Sequence, residues 1–466
     1  MEEYFYRFRP VKKLIDSEIE NLSIYFATPE QLNDPLEGHK DIYWQGDEIV
    51  WKNLFRHYIR CLVFKYHEMT IDEHTTEIPS ALDWSHLSNE LREVEALATK
   101  LFLEDVITKK YITALAQRKN KIYEGELQTY LNTCHHLALF CCQKAFIHFK
   151  VITTDLTQSE NFEKERISSL SSFLHIIEML PMAEPEEVKK VFELMSFTAA
   201  QINLIEYMKV KIDKSNKLKA ANFLRFYFTN RYVKSLEKLM HPDWYVACFM
   251  SECSNSSIWG TYGENHKGAC LKYKFATNET KYFLPLIKPE SFPDHQQDFN
   301  LELNKVSYNS KALEYGFFES IANIPQRMSL QDWYTDGDQI TPIKEWMEKF
   351  SVDKFNNALN LSATGKLEAW KHENEHRLIL TSYANISQPK HRVLSYSFDN
   401  LEGVIFGIKT SDEDKTALIE KFSHHINRTK RTDFNFYQAY FDRPSNTIQY
   451  KAMDILNKNL SAQAKI

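Results

Sequence analysis

Tyr4-Phe5-Tyr6-Arg7-Phe8-Arg9 alternates aromatic and basic side chains, and that two-residue period places Phe5, Arg7 and Arg9 on one face of a strand and Tyr4, Tyr6 and Phe8 on the other. Val11 to Leu22 follows with Leu14, Ile15, Glu18, Ile19 and Leu22 at helical spacing. Ser23 to Ala27 reads as a second short strand, ended by Pro29. The chain therefore opens β-α-β.

Further along the pattern changes. From about Trp51 to Met240 apolar residues recur every three or four positions, which predicts helices over Glu90 to Lys119, Glu124 to Lys150, Ser159 to Met179, Glu186 to Met195 and Leu218 to Leu239. Pro185, followed by Glu186 and Glu187, has the character of a first helical turn. After His241-Pro242-Asp243 strand signals return at Tyr245 to Met250, Ala269 to Phe275, Leu303 to Tyr308, His376 to Ser382, Val393 to Tyr396 and Val404 to Ile408. Helices are expected between them at Ile343 to Leu359 and Ser411 to His425. The expected fold is α+β: a small split mixed β core, from residues 1–50 and 241–430, interrupted by a large all-helical insertion over 51–240, with 431–466 as a C-terminal extension. Such an insertion is tolerated where its two ends lie close together at the surface.

Composition agrees with an ordered chain. Of 466 residues, 43% are hydrophobic and 14% aromatic, with only 11 glycines and 14 prolines, and no low-complexity segment or fixed-period repeat interrupts them. The formal charge of −6 is small for this length, so any contact with nucleic acid must come from a local patch. No apolar run reaches the roughly 18 residues that a membrane helix needs, and Met1-Glu2-Glu3-Tyr4 lacks the positive start of a signal peptide. Seven cysteines without framework spacing fit a reducing compartment. A cytoplasmic protein without membrane partners is the expectation.

Polar residues gather in the β-rich parts. Trp370-Lys371-His372-Glu373-Asn374-Glu375-His376-Arg377 enters a strand, and in an extended segment Glu373, Glu375 and Arg377 project from one face. Paired carboxylates beside a guanidinium can orient a ribose hydroxyl or a nucleophile and stabilise a developing cation; an edge strand with a charged face is the plainer alternative. His372 to His376 also spells H-E-x-x-H, but that pattern holds zinc on a helix, whereas in a strand the histidines stand roughly 13 Å apart. No metal is expected there. Cys134-His135-His136 with Cys141-Cys142 lacks the spacing of a zinc motif and reads as buried thiols.

The stretches Tyr4 to Arg9, Tyr25-Phe-Ala-Thr-Pro-Glu-Gln-Leu-Asn-Asp-Pro-Leu-Glu37, Cys248-Phe-Met-Ser251, Trp259-Gly-Thr-Tyr-Gly-Glu-Asn-His-Lys-Gly-Ala-Cys270 and Trp370 to Arg377 occur in an order that resembles a bacterial family known as domain of unknown function 2971. The resemblance covers about the first 45 residues and 245–410. Its layout is similar to that of the ADP-ribosyltransferase superfamily, which implies NAD held in a cleft of a split β core. Carried over, Glu375 is the catalytic glutamate and Glu373 completes a Glu-x-Glu pair. Arg9 or Arg7 holds a phosphate or ribose edge, and Ser251 or Tyr262 takes the middle position. Tyr6, Trp259 and Arg377 complete the candidate NAD contacts, although Trp259 and Tyr262, three apart after a cap-like Asn255-Ser256-Ser257, also suit a packed core.

The resemblance implies NAD-dependent ADP-ribosyl transfer or NAD cleavage, in a toxin or a phage-defence protein, with a protein or nucleic acid as acceptor. Basic residues over 209–238 (Lys209, Lys211, Lys214, Lys217, Lys219, Arg225, Arg231, Lys234 and Lys238), interleaved with Phe223, Phe226, Tyr227, Phe228 and Tyr232, offer a nucleic-acid contact or simply a solvated face over an aromatic core. Two further functions fit the same residues: a non-catalytic nucleotide- or peptide-binding module, and a metal-dependent nuclease using Asp34, Glu37, Glu373 and Glu375.

Overall fold

The computed structural model describes residues 3–34, 37, 38, 40–70, 76–81, 83, 84, 87–151, 185–212, 221–293, 298–308, 314–343, 360–382 and 384–463. The chain divides into two units, one of residues 1–39, 243–312 and 353–466, the other of 40–242 and 313–352. The boundaries differ from those expected: 313–352 returns to the helical unit, and 431–466 is not an appendage but part of the β-rich unit.

In the β-rich unit, strand Glu3–Arg9 pairs antiparallel with Ala269–Asn278, and the ring continues through Lys281–Ile287, Asp298–Lys305, Glu375–Thr381 and Trp244–Met250 back to Glu3–Arg9. Every one of these neighbours is antiparallel, so the core is a closed antiparallel barrel rather than a small mixed sheet. Closure leaves these strands with a free edge only where Glu3–Arg9 and Trp244–Met250 part beyond their one register pair. Its interior is filled by alternate residues such as Phe5, Phe249, Leu271, Tyr273, Leu284, Leu303 and Leu378. Burying each large apolar side chain contributes about 1.5–3 kcal/mol.

Two sheet extensions leave the barrel. Leu401–Phe406 pairs antiparallel with Ala269–Asn278 and parallel with Asn435–Asp442, which in turn pairs antiparallel with Thr447–Ala452. Val393–Ser395 carries Ser23–Tyr25 on the other side. Sequence reasoning missed three of these strands. Lys281–Ile287 contains Pro285, which weakens a strand reading, and follows a turn at Glu279 (φ 54°) that contains no glycine. The two C-terminal strands were subsumed in the extension.

The other unit is built on helices Glu48–Thr70, Asn89–Glu104, Val106–Gln117, Glu124–His148, Pro185–Ile212 and Phe228–Ser235. The single helix expected from Glu90 to Lys119 is broken at Asp105. Its backbone is extended (ψ 135°), and its carboxylate accepts from the amides of Ile107 and Thr108 and so starts the second helix. The helix expected over Ser159 to Met179, and nearly all of that over Ile343 to Leu359, lie outside the described residues. Cys134, Cys141 and Cys142 are buried in this core, and burial pushes the Cys134 thiol up to about 12. Among the described residues, no helix is long and apolar enough to cross a membrane.

Candidate functional site

Strands Glu3–Arg9 and Trp244–Met250 meet at a single register pair, Tyr6 with Met250, and then part. Ala27 closes the far end of the gap, its amide donating to Val246 O (2.8 Å) and its carbonyl accepting from Val246 N (2.9 Å). Backbone groups of alternate residues in a ladder point to alternate neighbours, so those of Cys248 point into the same gap. Here the barrel wall opens into a cavity of about 410 Å³ lined by Tyr6, Arg7, Arg9, Lys13, Glu37, Cys248, Tyr262, Lys366 and Glu375, among others. That volume is within the range of small-molecule sites.

One wall is cationic. Arg7 is 5% exposed, lies over the Phe249 ring at 5.8 Å and donates from Nη2 to Tyr25 O (3.3 Å). Its Nη1 has no hydrogen-bond partner among the described residues. Arg9 pairs with Glu18 through Nε (3.0 Å) and Nη2 (2.7 Å). Burial and the neighbouring Arg7 push Arg9 below its usual value, while burial and Arg9 do the same to Lys13. Arg7, Arg9 and Lys13 thus gather on one side of the cavity, with Glu18 paired to Arg9, which favours an incoming anion.

Glu37, Lys366 and Glu375 line the same cavity, and Glu373 and Arg377 bond to them from behind the lining. The Glu368–Glu373 turn of 3₁₀ helix ends at Asn374 in the left-handed conformation (φ 47°), and strand Glu375–Thr381 begins there. Glu373 therefore projects from a helical turn, not from the extended segment expected. Lys366 nevertheless gathers the carboxylates: Nζ is 2.6 Å from Glu373 Oε2, 2.7 Å from Glu375 Oε2 and 3.0 Å from Glu37 Oε1. Arg377 donates to Glu375 Oε1 (2.8 Å), Glu375 Oε2 (3.1 Å), Glu37 Oε1 (2.5 Å) and Ala363 O (2.7 Å). The alternative of an exposed edge strand is overturned, because Glu375–Thr381 lies between two partners and Glu375 and Arg377 are 2% and 0% exposed.

These contacts set the charges. Burial alone would raise Glu375, but the Arg377 guanidinium and the Lys366 ammonium outweigh it and hold the carboxyl at about 2. Glu37 moves the other way: burial raises it more than Arg377 and Lys366 lower it. Its Oε2 is buried without a hydrogen-bond partner among the described residues. Tyr262 donates to Glu373 Oε1 (2.7 Å), and the Glu375 amide donates to the Tyr308 hydroxyl (2.8 Å).

Of the residues singled out in the sequence, Tyr6, Arg7, Arg9, Tyr262 and Glu375 line the cavity, with Glu373 and Arg377 bonded directly to lining groups. Ser251 and Trp259 do not line it. Ser251 is exposed, with its hydroxyl 3.4 Å from Asn374 O. Trp259 is core, edge-on to Phe8 and donating to Cys253 O. Glu37 was anticipated only as a metal ligand, and Lys366, in Thr364-Gly365-Lys366, carries no motif that could have revealed it. At the convergence of three carboxylates, where a divalent ion would sit, stands the Lys366 ammonium, while Asp34 Oδ2 accepts from the Leu367 amide (3.4 Å). Asn374 also breaks the helix that His372 and His376 would need to share a metal.

On the basic stretch, the side chains of Lys209 and Lys211, and residues Lys214, Lys217 and Lys219 entirely, lie outside the described set. Arg231, Lys234 and Lys238 are exposed, whereas Phe223, Phe228 and Tyr232 are buried in the core rather than presented for stacking. No family model, no curated protein and no solved structure matches this chain.

Proposed function

We propose that the chain binds NAD in this cleft and breaks its bond from ribose to nicotinamide, passing ADP-ribose to a protein, a nucleic acid or water. One observation carries the reading: a buried carboxylate that stays ionised, Glu375, lines the same cavity as the cations Arg7, Arg9 and Lys13, where the barrel wall opens. The pyrophosphate pairs with the cationic wall through charge-assisted bonds, with Arg7 Nη1 as a ready donor. The nicotinamide ribose then lies towards Glu375, which accepts from a ribose hydroxyl and stabilises the positive charge that grows on the sugar. Nicotinamide leaves as a neutral base and needs no proton, which suits a carboxyl held at about 2 that cannot act as an acid near neutrality.

The basic first strand, split barrel wall and late-strand glutamate also support an ADP-ribosyltransferase-like layout, and the ordered motifs support membership of domain of unknown function 2971. The seven free cysteines fit a cytoplasmic site of action, in a toxin or in defence against phage. A second reading, a non-catalytic nucleotide-binding module, has its own support: Arg377 and Lys366 already bond both Glu375 oxygens, as in a purely structural cluster.

The test is nicotinamide release and transfer of label from NAD by the wild type and by Glu375→Gln, with melting curves of both. Release by the wild type that falls about 100-fold or more in a folded variant supports the enzyme. Binding of NAD without release moves the conclusion to the binding module, and neither binding nor release overturns both.

A further inference from the structure

The mechanism above leaves Glu37 unused, although it has the most unusual position in the cleft. Its side chain is 1% exposed and lines the cavity. Oε1 is held by Arg377 Nη2 (2.5 Å) and Lys366 Nζ (3.0 Å), which fixes the carboxyl plane, while Oε2 has no hydrogen-bond partner among the described residues. A buried oxygen left without a donor is costly unless something else in the site bonds to it. Glu375, on the same ammonium, has both of its oxygens engaged. The two carboxylates therefore differ in what they can do.

We propose that Glu37 is the general base of this site, its Oε2 taking the proton from the acceptor hydroxyl, or from water, as that oxygen attacks C1′ of the ribose. The inference rests on the NAD-cleavage reading. The C1′–N bond breaks with its electron pair going to the pyridine ring, which leaves as neutral nicotinamide. The acceptor oxygen forms the new bond to C1′, and its proton passes to Glu37 and then to water.

The division of labour follows from the surroundings. Arg377 and Glu375 face Glu37 from strand Glu375–Thr381, Lys366 from Gly365–Lys366, and Cys248 from Trp244–Met250, while Glu373 reaches the same ammonium. Burial and the Glu375 charge raise Glu37, so it holds a proton more readily than an ordinary carboxylate, whereas Glu375 stays ionised. Two carboxyl groups whose environments push them apart are suited to separate roles, one moving a proton and one stabilising charge.

The experiment measures turnover of NAD from pH 4.5 to 8 by the wild type and Glu37→Gln, with and without azide, a nucleophile that needs no base. The wild type should lose rate towards acid with a midpoint above 4.5. Glu37→Gln should bind NAD, turn over about 100-fold or more slowly, lack that acid limb, and recover with azide through an ADP-ribosyl azide. Glu375→Gln should not recover. A Glu37→Gln enzyme with the wild-type rate and acid limb overturns the inference while leaving NAD cleavage intact; a wild type that releases no nicotinamide removes both. If Glu37→Gln does not fold, the wild-type profile decides, and the absence of an acid limb overturns the proposal.

Discussion

Arg377 and Glu375, two residues apart on one strand, form a two-point ion pair, Nε to Oε1 at 2.8 Å and Nη2 to Oε2 at 3.1 Å. The two-residue period of a strand puts both on one face, and the planar guanidinium matches the carboxylate. Neither group is more than 2% exposed, so each depends on the other for the water it has lost. Arg377→Met should therefore cost about 3–5 kcal/mol, because it leaves Glu375 and Glu37 with Lys366 alone. Arg377→Lys should recover only part of that, since an ammonium cannot make both bonds. Urea unfolding at pH 7 measures both; a Met variant within about 1 kcal/mol of wild type would show that the pair is not a fixed part of the fold.

Lys366 joins three carboxylates, and its removal should change the pH dependence of stability. In the wild type, Glu375 is lowered from 4.5 to about 2, so its contribution is full above 4.5 and is lost as pH falls towards 2. Lys366 is itself raised by the surrounding carboxylates, and its contribution persists through neutral pH. In Lys366→Met, Glu37 and Glu375 keep Arg377 and Glu373 keeps its bond from Tyr262, and protonating one of the three carboxylates relieves the repulsion. The variant should thus lose most stability at pH 8 and least near pH 5, with melting curves across that range as the measure. An equal loss at both ends would mean that the ammonium serves packing over Trp370 rather than charge balance.

The helical unit should be acid-sensitive for a different reason. His57 lies between Tyr232 Oη (2.9 Å) and Ser80 O (2.8 Å), and His135 between Tyr58 Oη (2.7 Å) and Leu224 O (2.5 Å). Burial lowers each to about 3. Both are neutral in the folded chain, so their contribution is full above 6.5 and is lost as pH falls from 6.5 towards about 3. At pH 5 each should cost about 2 kcal/mol. A double His57→Gln, His135→Gln variant should lose the part of the decline that begins near pH 6.5 while being less stable at pH 7. An unchanged pH profile would assign the decline to other groups.

What was legible in the sequence was local. The alternation from Tyr4 to Arg9 gave a strand with Phe5 and Arg7 on its inner face, and the first-turn signature at Pro185 marks a helix start. Barrel closure was not legible, because it depends on Lys281–Ile287 pairing with both Ala269–Asn278 and Asp298–Lys305, and Pro285 masks that strand. Within the site, Glu373, Glu375 and Arg377 could be grouped from spacing alone, for a reason only half right, since Asn374 turns the chain between the first two. Glu37 and Lys366 lie hundreds of residues apart, and only the folded chain shows that they share a carboxylate–ammonium contact.

Arg7 offers the clearest separation of binding from folding. It stands with Arg9 and Lys13, of which Arg9 is paired with Glu18, and one of its nitrogens has no partner among the described residues. Arg7→Met keeps an apolar stem against Phe249 and removes the charge. Affinity for NAD or ADP-ribose should fall about 10- to 100-fold, the worth of one charge-assisted bond to phosphate, and log affinity should depend less steeply on log salt. Stability should hold or rise at low salt, because the repulsion on Arg9 and Lys13 is relieved. A gain in stability alongside a loss in affinity is the pattern of a residue kept for a ligand. Calorimetric titration and melting of the same preparations decide it: equal losses in both would make Arg7 a structural cation, and unchanged affinity would move the phosphate away from this wall.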